Sequence, residues 1–107
     1  MNPTGRQSYK ASQTEVEAIL AGTHDDPFAL LGPQIVGRKL VARCFIPHAE
    51  EVTVYTLDGK ECGDLECRHE TGFFEGPLTI SKRQVLRYRA RNAGGEWWIT
   101  DAYSFGP

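Results

Sequence analysis

Two small groups of side chains in this sequence have the types that catalysis or metal binding uses, and each needs a particular spacing to act. Cys62, Cys67 and His69 are candidate metal ligands, with His24 or His48 available as a fourth. Structural zinc sites draw closely spaced ligand pairs from a turn. Here four residues separate the cysteines, and on one regular strand that offset sends the two thiols to opposite faces. Cysteines acting as small core hydrophobes explain Cys44 and at least one other more simply, so no metal or other cofactor is expected. His24-Asp25-Asp26 has the groups for acid–base work, yet no nucleophile-elbow motif accompanies it. A turn explains Asp26-Pro27, because Asp bonds neighbouring backbone amides and Pro fixes the next dihedral. No catalytic residue is assigned, and the chain by itself is not expected to be an enzyme.

Binding groups are better represented. Arg87, Arg89 and Arg91 alternate with Leu86, Tyr88 and Ala90, which puts a basic stripe on one side of a strand and an apolar row on the other. Such a stripe keeps a sheet soluble, and its guanidinium forks can also bond sugar hydroxyls or meet acidic groups of a neighbouring domain. Phe73-Phe74 and Trp97-Trp98 are adjacent aromatic pairs. Neighbours on a strand point to opposite faces, so at most one of each pair enters the core of a two-layer sandwich. The other must be covered by a helix, by another domain or by a ligand. An exposed flat ring suits the apolar face of a pyranose and equally marks a protein interface, and spacing alone does not choose between them.

The elements that hold these groups follow from periodicity. Residues 1–12 are polar, with Pro3 and Gly5, and read as a disordered tail. Ser12 and Thr14 stand three residues before Glu15 and Glu17, the capping-box spacing, and Val16, Ile19 and Leu20 recur at helical intervals up to Gly22. "THDDPFALLGP" is turn-rich around an apolar Phe28-Leu30-Leu31 centre. From Lys39 the period becomes two: KLVARCFI, VTVYTL with a hairpin turn at Asp58-Gly59, a weaker run near 60–68, Leu78-Thr79-Ile80 after Gly72-Phe73-Phe74-Glu75-Gly76-Pro77, VLRYRAR, and EWWIT beyond Asn92-Ala93-Gly94-Gly95. Short strands with frequent turns predict an all-β, immunoglobulin-like antiparallel β-sandwich carrying one short N-terminal helix, over residues 13–107.

The bulk properties narrow the class further. A chain of 107 residues supports one modest core, and a net charge of −2 gives no overall pull toward nucleic acid or an anionic membrane. No apolar run approaches the roughly 20 residues of a membrane span. Three cysteines cannot all pair with one another, and the polar N-terminus lacks the apolar core of a secretory signal; both point to reduced thiols and a cytoplasmic location.

The ordered segments HDDPFALLGPQ (24–34), GRKLVARCFIPHAEEVTVYTLDGK (37–60), LECRHETGFFEGPL (65–78), RYRARN (87–92) and DAYSFGP (101–107) resemble the amino-terminal domain of bacterial glycogen branching enzymes. The likeness runs from about residue 14 onward; the one departure noted is Ala102, where the family usually has proline, which leaves the closing turn less rigid. The resemblance implies a non-catalytic accessory domain in glycogen biosynthesis. The parent transferase would form α-1,6 branches with a (β/α)₈ barrel further along, beyond a second sandwich that follows Gly106-Pro107. The implied partners are α-1,4-glucan, bound weakly, and those following domains of the same chain. On that reading the candidate glucan contacts are Trp97, Trp98, Tyr103, Phe73, Phe74, Arg87, Arg89 and Arg91, with Tyr103 first an anchor for the domain seam. The alternative is a purely structural docking module without glucan affinity.

Overall fold

The computed structural model describes residues 9–23, 26–27 and 30–105, the last of these by its backbone alone. Residues 1–8 of the expected tail, His24 and Asp25 of the acid–base candidate, Phe28, and Gly106-Pro107 lie outside the described residues. Seven strands follow one helix: α1 (Gln13–Ala21), β1 (Gly32–Val36), β2 (Lys39–Phe45), β3 (Glu51–Thr56), β4 (Glu61–His69), β5 (Phe73–Pro77), β6 (Leu86–Asn92) and β7 (Gly95–Thr100), then a 3₁₀ turn over Ala102–Phe105.

All strand pairs are antiparallel, in the order β1-β2-β5-β4-β3-β6-β7. Strand β4 is the hinge of this curled sheet. Its first half, through Leu65, pairs with β3, and from Glu66 it pairs with β5. The two flanks thereby close on a shared core of Ala42, Cys44 and Phe74 from one side and Val52, Val54, Leu86, Tyr88 and Ala90 from the other. The chain is the expected all-β, sandwich-like domain with one short helix.

Three local features position the site. First, α1 is defined at both ends. The Ser12 hydroxyl accepts from the Glu15 amide at 3.1 Å, the Glu15 carboxylate accepts from the Ser12 amide at 3.1 Å, and Gly22 closes the helix in the left-handed region at φ 72°. Nine residues do not make a stable isolated helix. Val16, with the half-buried Ile19 and Leu20, therefore docks on Ala11, Leu30, Leu31 and Phe73, covering the outer side of β2 and β5.

Second, this lid seals an ion cluster. Glu75 is fully buried, and Arg43 stands directly across from it. The Glu75 carboxylate accepts from Arg43 Nε at 2.6 Å, from the Ala11 amide at 2.7 Å, and from Arg68 Nη1. The remaining guanidinium donors reach the carbonyls of Tyr9 at 2.6 Å, Ala11 at 2.9 Å and Leu30 at 3.3 Å. Tyr9–Ser12, assigned to the tail by their polarity, are thus held against the sheet. Their main chain supplies partners that the buried Arg43, the half-buried Arg68 and a buried carboxylate require.

Third, Gly72 has φ 123°, and a Cβ there would lie 2.2 Å from the Ile46 carbonyl oxygen, so the β4–β5 turn admits only glycine. Two strand boundaries differ from the sequence pattern. β1 was hidden because it opens with Gly32-Pro33, which reads as loop. The strand expected at 78–80 is instead Phe73–Pro77. Leu78 and Thr79 still donate to the Leu40 and Cys62 carbonyls at 2.8 Å, but the ladder stops at Pro77.

Candidate functional site

The outward side of β3, β6 and β7 gathers half of the residues singled out for binding: Trp98, Arg87, Arg89 and Arg91. Register places Trp98 across from Arg89, Arg89 across from Thr53, and Arg87 across from Tyr55. Alternation along β6 sends Leu86, Tyr88 and Ala90 into the core and leaves the three arginines half-buried on this side. The rings and guanidiniums interleave diagonally. Arg87 Cζ lies 4.6 Å from the Trp98 ring centroid, and Arg89 Cζ lies 5.4 Å from that of Tyr55. The two rings meet at 5.0 Å with an interplanar angle of 58°. Trp98 is 43% exposed and is the largest exposed ring among the described residues. Arg91 is engaged differently, bonding Glu51 through Nε at 3.0 Å and Nη2 at 2.8 Å.

The other candidates lie elsewhere. Trp97 turns to the opposite side of β7 and packs against the core. The Trp97-Trp98 pair thus divides as alternation requires. Phe73 and Phe74 are both buried, Phe74 in the inter-sheet core and Phe73 beneath α1, so neither offers a surface ring. The helix lid supplies the second cover that a two-layer sandwich alone lacks. Tyr103 joins the helix cluster at the far edge, where its backbone and Cβ press on Gly32; a Cβ at Gly32 would lie 2.8 Å from that of Tyr103.

Sequence reasoning missed Tyr55 as a site residue. Its phase opposite Val52 and Val54 gave the outward direction, but its neighbours depend on the β3–β6 pairing.

Around Tyr103 the closing segment is built on Asp101. This buried carboxylate accepts from the Tyr88 hydroxyl at 2.5 Å and from the Tyr103 amide at 2.9 Å, while Ser104 Oγ accepts from the Leu86 amide at 3.0 Å. Burial pushes the Asp101 carboxyl above the usual carboxylate range, against the lowering effect of those hydrogen bonds. Burial likewise drives the Tyr88 hydroxyl and the Cys44 thiol well up. Ala102 opens the 3₁₀ turn at the position where proline was expected. An apolar groove of about 260 Å³ lies alongside, lined by Ile19, Pro27, Leu31, Phe45 and Tyr103. A second hollow of about 160 Å³ adjoins it at Phe45 and Tyr103, and Phe45 is 37% exposed.

The metal candidates are dispersed. Cys62 sits in the core with its thiol toward the Val54 carbonyl, and Cys67 is exposed with its thiol toward the His69 carbonyl. His69 Nδ1 instead pairs with Thr71 Oγ1 at 2.8 Å. Among the described residues no helix is long and apolar enough to cross a membrane.

A curled antiparallel sheet with an aromatic–arginine outer face defines a sandwich-like β-domain. Residues 12–103 match the family model for the N-terminal domain of the alpha-1,4-glucan branching enzyme GlgB, and the chain belongs to that family. It is 64% identical over 97 residues to the 1,4-alpha-glucan branching enzyme GlgB of Mesorhizobium japonicum, covering 91% of this chain and 13% of that protein. The Rhizobium meliloti enzyme is 60% identical over 93 residues, 87% of this chain and 13% of the relative. The more distant Rubrobacter xylanophilus enzyme is 41% identical over 92 residues, 86% of this chain and again 13% of the relative. The chain therefore spans about 13% of the length of the relatives it matches.

Proposed function

We propose that this domain is a non-catalytic accessory module of a cytoplasmic 1,4-α-glucan branching enzyme. In that role it holds α-glucan weakly on the outer side of β3, β6 and β7 and biases which chain segments are transferred to form α-1,6 branches. The observation that carries this reading is the exposed Trp98 ring set beside Tyr55, with Arg87 and Arg89 next to both. The ring offers an apolar platform for a pyranose, and the guanidiniums offer donors to its hydroxyls. Trp97 and Tyr103 contribute at most from the margins, since they sit on other sides of the molecule. A shallow open platform binds in the millimolar range, about −4 kcal/mol. Titrating the chain with maltoheptaose and following amide and indole shifts tests this: a localised response at Trp98, Tyr55 and β6 is expected. No response at tenfold excess over that constant sinks the platform.

The second reading is a purely structural docking module, and a different place favours it. The groove beside Phe45 and Tyr103 is apolar, open and adjacent to the closing turn. Under this reading the following domains of the same chain pack there, and sugar shifts nothing. Its mark is protection of Phe45 and Tyr103 from solvent in a longer polypeptide carrying the next domain; unchanged solvent exposure there removes it.

A further inference from the structure

Charge compensation separates the arginines of β6. Arg91 is paired with Glu51, whereas Arg87 and Arg89 make no ion pair among the described residues. Their described contacts are the rings of Trp98 and Tyr55. A guanidinium beside a ring keeps five N–H donors in its own plane, and no hydrogen bond from Arg87 or Arg89 is made among the described residues. Arg89 adds a second sign of an unfilled site. Its Nε is buried and has no hydrogen-bond partner among the described residues, so Arg89 meets the open face through its terminal nitrogens and no carboxylate of the described chain holds the fork. The two side chains leave the same face of one strand two residues apart, so their Cα atoms are about 6.6–7 Å from one another.

Two uncompensated forks at that spacing, each beside an aromatic ring, suit a compact dianion carried on a sugar better than a neutral sugar alone. Guanidinium binds the oxygens of a phosphate ester in parallel pairs. A monoester carries about −1.5 to −2 charge at neutral pH and three acceptor oxygens, enough to bridge both forks. The face is open and flat, without an enclosing pocket, and a free sugar phosphate would be held there by little else. A chain that lays neighbouring pyranoses over Trp98 while its ester meets the arginines is held at both points.

We propose that Arg87 and Arg89, framed by Trp98 and Tyr55, form a site for a phosphate monoester on an α-glucan chain. This rests on the glucan-platform reading and specifies what that platform selects.

The test compares four probes on the 107-residue chain at low salt: maltoheptaose, maltoheptaose bearing one phosphate monoester, glucose 6-phosphate and inorganic phosphate. The Trp98 indole and the Arg87 and Arg89 Nε–H resonances are followed. The phosphorylated oligosaccharide is expected to bind at least tenfold more tightly than the neutral one, to move both Arg Nε–H signals, and to weaken steeply as salt rises. In Arg87→Gln/Arg89→Gln the ratio of the two constants falls to about one; in Arg38→Gln, a change in the distant β1–β2 turn, it is retained. Equal binding of phosphorylated and neutral maltoheptaose to the unmodified chain overturns the proposal and leaves the platform standing. Equal binding of phosphorylated oligosaccharide and inorganic phosphate also overturns it, since a bare anion site would then account for everything. Failure of neutral maltoheptaose to move Trp98 is the separate result that removes the platform itself.

Discussion

Arginine occupies the outward side of both flanks of this sandwich, and its two settings are opposites. On the flank carrying β2 and β5, Arg43 and Arg68 close on the fully buried Glu75, and α1 with residues 9–12 covers the cluster, leaving only Arg68 partly exposed. On the flank carrying β6, Arg87 and Arg89 lie beside Trp98 and Tyr55 respectively, with no carboxylate partner and no covering element among the described residues. The same residue type is a lock in one place and an unspent donor in the other. The difference follows from what lies on top. A covered guanidinium must be neutralised and fully bonded, because an unpaired buried charge is prohibitively costly. A half-buried one, such as Arg87 or Arg89, keeps its terminal nitrogens at the solvent edge beside a ring, which leaves those donors for something that arrives later.

The sharpest way to break this comparison is to remove the carboxylate. Glu75→Gln leaves the buried Arg43 and the half-buried Arg68 facing a neutral amide, and loss of the buried partner from such a cluster costs about 3–5 kcal/mol. That is a large part of the total stability of a domain this size, about 5–15 kcal/mol. Urea unfolding should therefore show a midpoint collapse, together with loss of amide protection at Ala11 and along α1. A cost under about 1 kcal/mol would mean that water already reaches the cluster, and the contrast between the flanks would fail.

The open flank should respond several-fold less. Each guanidinium–ring contact at a surface is worth about 0.5–1 kcal/mol, so Arg87→Gln or Arg89→Gln should lower stability by no more than that. The Arg89 change removes a buried donor that has no partner, which offsets part of the lost stacking. A measured loss of 2 kcal/mol or more by urea unfolding would assign these arginines to the fold itself, and with that the argument for a binding face would weaken.

These two flanks were unequally legible in the sequence. The β6 stripe was plain, because alternation of Leu86, Tyr88 and Ala90 with Arg87, Arg89 and Arg91 needs no partner to be read. The Trp97-Trp98 division followed from the same period. Glu75 was not legible. In a strand an acid between Phe74 and Gly76 has the phase of a solvent-facing residue, and only the docking of α1 makes that phase a second interior. Phe73 was hidden for the same reason. Tyr55 escaped as a site residue because cross-strand neighbours are set by the strand order, in which β3 stands between β4 and β6. Period gave each side chain its direction, and tertiary covering decided what that direction meant.

The smallest effect is at the seam where the two flanks close, and it tests the same rule with an acid. Asp101 is buried like Glu75, but its bonded partners are the Tyr88 hydroxyl and backbone rather than guanidinium. Burial therefore raises its pKa, with Arg83 contributing only a lesser lowering influence. An acid whose folded-state pKa lies above its unfolded value stabilises the fold most when protonated. Its contribution is fully present below the unfolded value and is lost as pH rises through the folded one. Asp58, exposed and held below the usual range by the Thr56 hydroxyl, has the opposite sign: its contribution is present at neutral pH and fades on acidification. The raw pH profile mixes the two, so the informative quantity is a difference. As pH falls from 7 toward 4, the unmodified chain should gain stability relative to Asp101→Asn, which cannot titrate, while both retain Asp58. Urea unfolding of the pair at unit pH steps measures this. Parallel profiles would mean that Asp101 titrates like an exposed carboxylate. The rule that a covered charge without a guanidinium partner is pushed toward its neutral form would then fail at the buried carboxylate that, among the described residues, stands without one.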